Sequence, residues 1–473
     1  MRTRRRPWVL SLIALATGLS SFAVSRAARA NCPACVEAEL AQIQQITTET
    51  VQNNYFATYT SYEDFAMMVV VSADEGILTT YVPFGYESRD AGARPVSPDT
   101  MFQIGSVTKT FTALMAAELD ESGAMPLTSY LDDYIPSEFC VGHYCVLPTS
   151  GTGIRLVDLA DMYSGLPRNA PPSDTTKSDF YNNVFHGCSA YGEETYPGPI
   201  CPGGADNPPQ EPVTGPSESC VAPGTVYNYS NFGYIVLSNV LSDHLAAGVT
   251  TGANFAEAVQ STVLSPLGMA STVLPTDGTS TPPYAASSYM CEGNNGPGST
   301  LPLTCCPATT SSSIWPDPTW LGNPVTYGVG AMWTNAYDMG TWLNVHLDNT
   351  GVVDIPQSIR SAIKKNVMKT WETDPANPEL GYGLAWTFDR TGLEPPYGSG
   401  VRSSNGVVRA VMSKGGDSAG FHSFVAMTPR AVNGGESGLG VAIMINYEPS
   451  AGVAPVIAGT AIRILQALEN AGY

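Results

Sequence analysis

A serine and a lysine stand three positions apart in the run Ser106-Val107-Thr108-Lys109. On a helix, side chains at positions i and i+3 lie on one face, so the hydroxyl and the amine can touch. An amine with a lowered pKa can accept the hydroxyl proton, and the positive end of the helix dipole favours the alkoxide that forms. The spacing therefore predicts a nucleophile, Ser106, served by Lys109. Alone it is a weak signal, because a helix-capping serine followed by a solvated lysine has the same pattern.

Two later segments carry side chains that could also move protons or bind a substrate. The Tyr-x-Asn pattern at Tyr229 and Asn231 offers a phenol that can take and return a proton, and an amide that can hold a substrate amide. The run from Lys414 to Gly416 offers a cation that can face a substrate carboxylate or influence the titration of its neighbours. Asn231 could instead simply cap the helix that follows it.

The periodicity of apolar residues indicates which elements position these groups. Helical spacing predicts helices over Cys35–Asn53, Ser106–Gly123, Asn231–Leu245, Ala336–Leu347 and Val456–Leu468. Strand-like runs occur at Ala66–Ser72, Gly76–Val82, Gly383–Asp389, Val407–Ser413, Phe421–Thr428 and Leu439–Asn446, with a hairpin turn at Asp74-Glu75-Gly76. Strands at both ends with helices between them predict an α+β fold. Its antiparallel sheet would be built from both chain ends, be flanked by helices, and carry an inserted, mainly helical region.

Taken in order, the motifs resemble the serine β-lactamase and penicillin-binding protein superfamily, most closely its class C-like branch, which includes D-amino-acid peptidases and esterases. The resemblance is carried by the blocks Phe102 to Thr112, Asp161 to Pro167, Pro223 to Tyr234, Gly328 to Trp333 and Lys414 to Phe421. It extends over about residues 60 to 470, and several ordered blocks at compatible spacings make it a strong signal. It implies a β-lactamase/transpeptidase-like fold and hydrolysis through an acyl-enzyme.

The resemblance also implies the roles of particular residues. The catalytic residues would be Ser106, Lys109 and Tyr229, and the substrate-binding residues would be Asn231, Lys414 and Gly416. The backbone N–H groups of Ser106 and Asp417 would form the oxyanion hole. The third motif is Lys-Thr-Gly or His-x-Gly in the family, and Gly415 here lacks the hydroxyl of the first form. We therefore expect a small-molecule or peptide substrate, and favour a peptidase or esterase over a true β-lactamase.

Two other readings stay open. The run from Gly416 to Gly420 fits Gly-x-Ser-x-Gly, the nucleophile elbow of α/β-hydrolases, with Ser418 attacking. That elbow needs a helix directly after the serine and an acid and then a histidine later in the chain, whereas the last histidine here is His422. Alternatively, the fold could serve as a non-catalytic binding module, because a fold does not prove activity.

The first 30 residues are typical of an export signal. Arginines precede an apolar stretch from Trp8 to Val24, and Ala28-Arg29-Ala30 supplies the small residues of a cleavage site. We predict cleavage near Asn31 and a periplasmic or extracellular protein, although an uncleaved anchor would share the pattern. No later run reaches the roughly 18 apolar residues that a membrane span needs. After this segment we expect a cysteine-containing stretch over residues 31–59 and a hydrolase domain over 60–473, with Cys-, Pro- and Gly-rich insertions near 167–224 and 275–324.

Composition excludes other classes. The chain has 22 Lys and Arg against 42 Asp and Glu, and without the predicted signal the net charge is about −26, which repels nucleic acid. Ten cysteines, an even number beyond the predicted cleavage point, indicate disulfides, and Cys140 and Cys145 could close a small loop. No second Cys-x-x-Cys follows Cys32 and Cys35, and no His-Glu-x-x-His occurs, so we expect neither a metal nor a cofactor.

Overall fold

The computed structural model describes most of the chain beyond the predicted signal. The described residues are 32–57, 65–73, 78–135, 153–166, 168–169, 176–177, 223–245, 255–274, 281–292, 304–307, 324–391, 400–403, 405–418, 420–434, 438–449 and 454–473. Several predictions therefore lie outside them. These are the export signal, the turn at Asp74-Glu75-Gly76, most of the insertion at 167–224 and the loop between Cys140 and Cys145.

The described residues form both strands and α-helices, which are numbered here in chain order. The strands are β1 Met67–Ala73, β2 Leu78–Phe84, β3 Phe102–Gln103, β4 Tyr289–Glu292, β5 Thr304–Pro307, β6 Trp333–Thr334, β7 Glu372–Asp374, β8 Asn377–Tyr382, β9 Thr387–Asp389, β10 Val411–Ser418, β11 Phe421–Met427, β12 Gly440–Ile445 and β13 Tyr447–Pro449. The α-helices are α1 Pro33–Val51, α2 Thr108–Glu121, α3 Leu156–Ala160, α4 Asn231–Leu245, α5 Phe255–Val259, α6 Tyr327–Gly330, α7 Ala336–His346, α8 Gln357–Ala362 and α9 Ala454–Ala471.

A large antiparallel sheet organises these elements. Its described strands run in the order β2-β1-β12-β11-β10-β9-β8-β7, so the N-terminal hairpin joins the C-terminal strands directly. The junction is the β1–β12 pair, in which Met67 lies opposite Ile445 and Val71 lies opposite Val441. The predicted α+β architecture, with one sheet assembled from both chain ends, is confirmed.

Both faces of this sheet are covered, which explains why all seven residues of β1 are buried. Met68 and Val70 pack into the core shared with the inserted helical region. Met67, Val69 and Val71 point to the other face and pack into the core beneath α1 and α9. Since neighbouring side chains of a strand point to opposite faces, a strand covered on both sides has a continuous apolar sequence.

The inserted region is built around two buried helices. In α2, every residue from Thr108 to Ala117 is buried, and in α4 every residue from Asn231 to Ser242 is buried. The bounds of α4 are those predicted from the sequence. The stack of Phe111 on Trp342, with ring centres 3.7 Å apart, ties α2 to α7. A helix that is buried all round holds its side chains rigidly, which suits the placement of reactive groups at its first turn.

Two strand predictions are wrong. The predicted strand Val407–Ser413 is instead Val411–Ser418, because β9 pairs with its start, Val411–Ser413, and β11 pairs on through the two consecutive glycines and holds them in the sheet. The predicted strand Gly383–Asp389 is split. Its first half is a turn between β8 and β9, closed by the Gly383 N–H donating to the Trp386 carbonyl, with Ala385 at φ +65°.

Smaller features complete the described part. Cys32 and Cys35 form a disulfide at the start of α1. Strands β4 and β5, from the second predicted insertion, form a small sheet with β13. Among the helices of the described residues, none combines the length and the apolar character that crossing a membrane requires.

We predict that the Asn446 side chain stabilises the junction between β1 and β12. Its buried side chain accepts from the Ala66 N–H at 2.8 Å and donates to the Ser287 carbonyl at 2.8 Å. Asn446→Ala leaves both backbone groups unpaired, so the free energy of unfolding in urea should fall by about 2 kcal/mol or more. Asn470→Ala, at the exposed end of α9, should change it by less than about 0.5 kcal/mol. Equal effects of the two substitutions would contradict this role.

Candidate active site

Ser106 lies in a tight turn that leads directly into α2. The turn is one 3-10 turn, Gly105–Val107, and the helix begins at the next residue. Gly105 has φ +50°, and a Cβ there would lie 2.4 Å from the Asp417 carbonyl oxygen and 2.6 Å from its nitrogen. Glycine is therefore required on both conformational and steric grounds. The turn places Ser106 at the positive end of a buried helix, and the residue before it, Gly105, lies against the Asp417 backbone.

Lys109 reaches back to this serine from the first turn of α2. Its Nζ donates to Ser106 Oγ at 2.8 Å and to the Val329 carbonyl at 2.8 Å, and its side chain is completely buried. Burial lowers the pKa of Lys109 well below its usual value, and the nearby positive charges of Lys414 and Arg168 lower it further. A neutral amine at this position can accept the Ser106 proton.

Tyr229 contacts the same oxygen from the other side. Its hydroxyl donates to Ser106 Oγ at 2.7 Å. Burial raises the pKa of Tyr229 to about 12, while the hydrogen bond to Ser106 and the charge of Arg168 act in the opposite direction. At neutral pH Tyr229 therefore carries its proton, and it is placed to exchange it with the serine oxygen.

Three cations surround the Tyr229 ring. The distances to the ring centre are 4.6 Å from Lys414 Nζ, 4.9 Å from Arg168 Cζ and 5.2 Å from Lys109 Nζ. Burial, with a contribution from Arg168, lowers the pKa of Lys414 to about 7. The sequence did not point to Arg168. Its one sequence signal was its position immediately after the block ending at Pro167.

Strand β10 passes very close to the serine turn. A Cβ on Gly416 would lie 2.1 Å from the Ile104 carbonyl oxygen and 2.8 Å from the Val107 nitrogen, so a side chain cannot be accommodated there. A Cβ on Gly415 would meet nothing closer than 3.6 Å, at the Phe424 ring. Of the two glycines, only Gly416 is needed for the backbone approach.

Asp417 brings a carboxylate to the edge of this site. Its side chain is 41% exposed and pairs with Nδ1 of His422, which is 97% buried on β11 directly opposite. Burial alone would raise the pKa of Asp417, but the pairing with His422 and the charges of Arg168 and Lys414 outweigh it and lower the pKa. The sequence predicts a role only for the backbone N–H of Asp417. The side-chain pairing with His422 depends on the register of β10 and β11, which the sequence does not give.

Asn231 is the first residue of α4 and is buried beside Tyr229. Its amide nitrogen donates to the Asn169 side-chain oxygen at 2.8 Å. Within the described part of the chain, its own side-chain oxygen has no hydrogen-bond partner. The Asn231 amide therefore keeps an unused acceptor at the start of α4.

The competing nucleophile, Ser418, has a different environment. It is buried at the end of β10, and the chain continues into β11 at Phe421. An α/β-hydrolase elbow needs a helix immediately after the serine, so Ser418 does not meet the geometric requirement.

Comparison with known proteins agrees with this geometry. The family model described as Beta-lactamase matches residues 53–465, which is most of the chain. The chain belongs to the beta-lactamase family. The α/β-hydrolase alternative is thereby excluded, and the resemblance noted in the sequence motifs is confirmed.

Solved structures share this beta-lactamase fold at low sequence identity. A class C beta-lactamase has a TM-score of 0.61 and 17% identity, with 89% of this chain and 96% of that chain covered. A class C beta-lactamase from Rhodobacter sphaeroides has a TM-score of 0.58 and 20% identity, covering 90% and 99%. A beta-lactamase/D-alanine carboxypeptidase from Yersinia pestis, complexed with citrate, has a TM-score of 0.57 and 20% identity, covering 90% and 99%.

The two glycines of the Lys-Gly-Gly run should differ sharply in how well they tolerate substitution by alanine. Gly416→Ala forces the Ile104 and Val107 backbone away from β10, so we expect a loss of about 1–3 kcal/mol in stability and of Ser106 reactivity. Gly415→Ala only brings a methyl group to ordinary contact distance and should leave the thermal midpoint within about 2 °C of the unmodified protein. Thermal melting and labelling of the serine check both. Equal melting of the two variants would show that β10 does not press on the turn.

Proposed function

We propose that this protein is an exported serine hydrolase that acts on an ester or amide through an acyl-enzyme at Ser106. The observation that carries the proposal is the shared contact on one oxygen, because Ser106 Oγ lies 2.8 Å from Lys109 Nζ and 2.7 Å from Tyr229 Oη. One of these groups can take the serine proton while the other returns a proton to the leaving group. The proposed location, periplasmic or extracellular, rests on the N-terminal export pattern.

The proposed reaction has two steps. In the first, Ser106 Oγ attacks the substrate carbonyl, its proton passes to Lys109 or Tyr229, and the carbonyl–leaving-group bond breaks as the leaving group takes up a proton. In the second, a water molecule attacks the acyl carbonyl and loses a proton to one of the same groups, and the acyl–Oγ bond breaks as Ser106 Oγ takes a proton back, which releases the acid. The backbone N–H groups of Ser106 and Asp417 would hold the oxyanion in both steps.

Two residues of β10 favour esters or D-amino-acid peptides over β-lactams. Gly415 and Asp417 are two residues apart on β10, so they share one face of the strand. At this face the chain lacks the hydroxyl of a Lys-Thr-Gly motif and adds a carboxylate that repels a substrate carboxylate. The solved neighbour from Yersinia pestis is a beta-lactamase/D-alanine carboxypeptidase, which supports amide or ester chemistry at this fold.

A purely binding role for the same fold is the less favoured alternative. A site without catalytic use has no need for a buried lysine, and burying an amine with a lowered pKa lowers stability. Here Lys109 and Tyr229 nevertheless both contact the Ser106 oxygen. Lys414 lies over the Tyr229 ring. This concentration of reactive groups supports turnover.

Replacing the nucleophile is the direct test. After incubation with an activated ester and, separately, a penicillin, intact-mass measurement should find an acyl adduct on the wild-type protein and none on Ser106→Ala. The melting temperature should stay nearly constant, because the serine hydroxyl adds little packing. Ser418→Ala is the matched control and should keep the adduct. An adduct of equal yield on Ser106→Ala would refute the proposal.

Restoring the missing hydroxyl tests the substrate preference. The space beside Gly415 admits a side chain, so Gly415→Thr should fold and should raise the rate of penicillin acylation by about tenfold, the value of one good hydrogen bond to a charged group. Gly415→Ala supplies the carbon without the hydroxyl and should give no such gain. If threonine and alanine act alike, the absence of the hydroxyl does not set the preference.

A further inference from the structure

Arg168 is a charged residue of the site to which the proposed reaction gives no task. Its main chain is fixed to the start of α4, because the Arg168 carbonyl accepts from the N–H groups of Asn231 at 2.6 Å and Phe232 at 3.3 Å. The next residue, Asn169, accepts from the Asn231 side chain. Two independent attachments therefore hold this segment against the helix that follows Tyr229, and they set the guanidinium 4.9 Å from the ring centre.

The groups that face Tyr229 come from five parts of the fold. Lys109 comes from α2, Lys414 and Asp417 come from β10, and two further phenols, Tyr227 and Tyr234, come from the segment of Tyr229 itself and from α4. Lys109 and Lys414 lie over the Tyr229 ring, and the charge of Asp417 raises the pKa of Tyr229. The charge of Tyr229 in turn raises the pKa values of Tyr227 and Tyr234. Arg168, from the segment after α3, is the remaining member of this set.

The cations of this set differ in how firmly they hold their charge. The pKa of Lys414 is lowered to about 7, and burial lowers the pKa of Lys109 well below its usual value. Lys414 can therefore be uncharged near neutral pH, and Lys109 gives up its charge more readily than an ordinary lysine. A guanidinium is not deprotonated in proteins at these pH values. Among the described groups around Tyr229, Arg168 is the cation that keeps its charge throughout.

We propose that Arg168 is an electrostatic positioning residue of this site: its permanent charge, held over the Tyr229 ring, keeps Lys109 neutral and favours release of the Tyr229 proton during acyl transfer. This inference rests on the proposed function. A fixed positive charge disfavours a second cation on Lys109 and favours the phenolate of Tyr229, so it acts in the same direction on both proton carriers.

Because the two effects have the same sign, the test does not depend on which group is the general base. Neutralising Arg168 should raise the pKa of Lys109, of Tyr229 and of Lys414 alike. The limb of the pH profile in which kcat/KM rises, which reports deprotonation of the base in the free enzyme, should therefore move to higher pH. For a charge near 5 Å in a partly buried site, we expect a shift of about one pH unit or more.

The experiment measures kcat/KM against pH for a neutral activated ester, p-nitrophenyl acetate, with Ser106→Ala as the background. Arg168→Met and Arg168→Gln remove the charge, and Arg168→Lys keeps a cation. We expect the rising limb to move up in both neutral variants and to stay nearer the wild type in the lysine variant. Arg89→Met is the matched control, since Arg89 Cζ lies 5.0 Å from the Phe65 ring centre away from the site, and its profile should coincide with that of the wild type.

The outcomes separate this inference from the function beneath it. If Ser106-dependent turnover is present but the limb stays in place in Arg168→Gln and Arg168→Met, Arg168 has only a structural role and the inference is overturned, whatever the loss of rate. If the wild type and Ser106→Ala hydrolyse the ester equally at every pH, the proposed function fails and the inference fails with it. If one neutral variant does not fold, as judged by its melting curve, the other decides the result.

Discussion

The close approach of strand β10 to the turn before α2 is the constraint on which the site depends. Gly416 lies so near the Ile104 carbonyl and the Val107 nitrogen that no side chain fits there. A side chain on Gly105 would likewise collide with the Asp417 backbone. Ser423 on β11 secures the contact by donating to the Ile104 carbonyl at 2.8 Å. A helix, a turn and a sheet edge thus meet over a few ångströms. Ser106 and the groups that contact it are positioned relative to this contact.

That contact brings several charges into a small buried volume, and burial determines how each one behaves. Lys109 and Lys414 lie among apolar and aromatic groups, so their pKa values fall, while the pKa of Tyr229 rises. An amine that prefers to be neutral and a phenol that prefers to keep its proton form a pair that can pass a proton in either direction around Ser106. Arg168 is outside this exchange because its charge is fixed. The same desolvation that destabilises these groups makes them useful for catalysis.

The surrounding fold explains why the site can hold such groups without losing its shape. The sheet has a core on each face, and α2 is buried along its length between α7 and the helices of the inserted region. Pairing of β1 with β12 closes the sheet across both ends of the chain, so the N-terminal hairpin and the C-terminal strands support each other. A nucleophile at the first turn of such a helix cannot shift independently of the core, and this rigidity preorganises the contacts to Ser106.

The sequence by itself determined the features that local patterns encode. The fold class and the bounds of the helix from Asn231 to Leu245 follow from periodicity, and the grouping of Ser106, Lys109, Tyr229 and Lys414 follows from the resemblance of their motifs to the β-lactamase superfamily. Tertiary structure alone decided that β10 continues through Lys414 to Asp417, because pairing with β11 overrides the poor strand propensity of two glycines. It also decided that Arg168 lies over Tyr229 and that Asp417 pairs with His422. These contacts join residues that local patterns do not relate, so only the packed chain determines them.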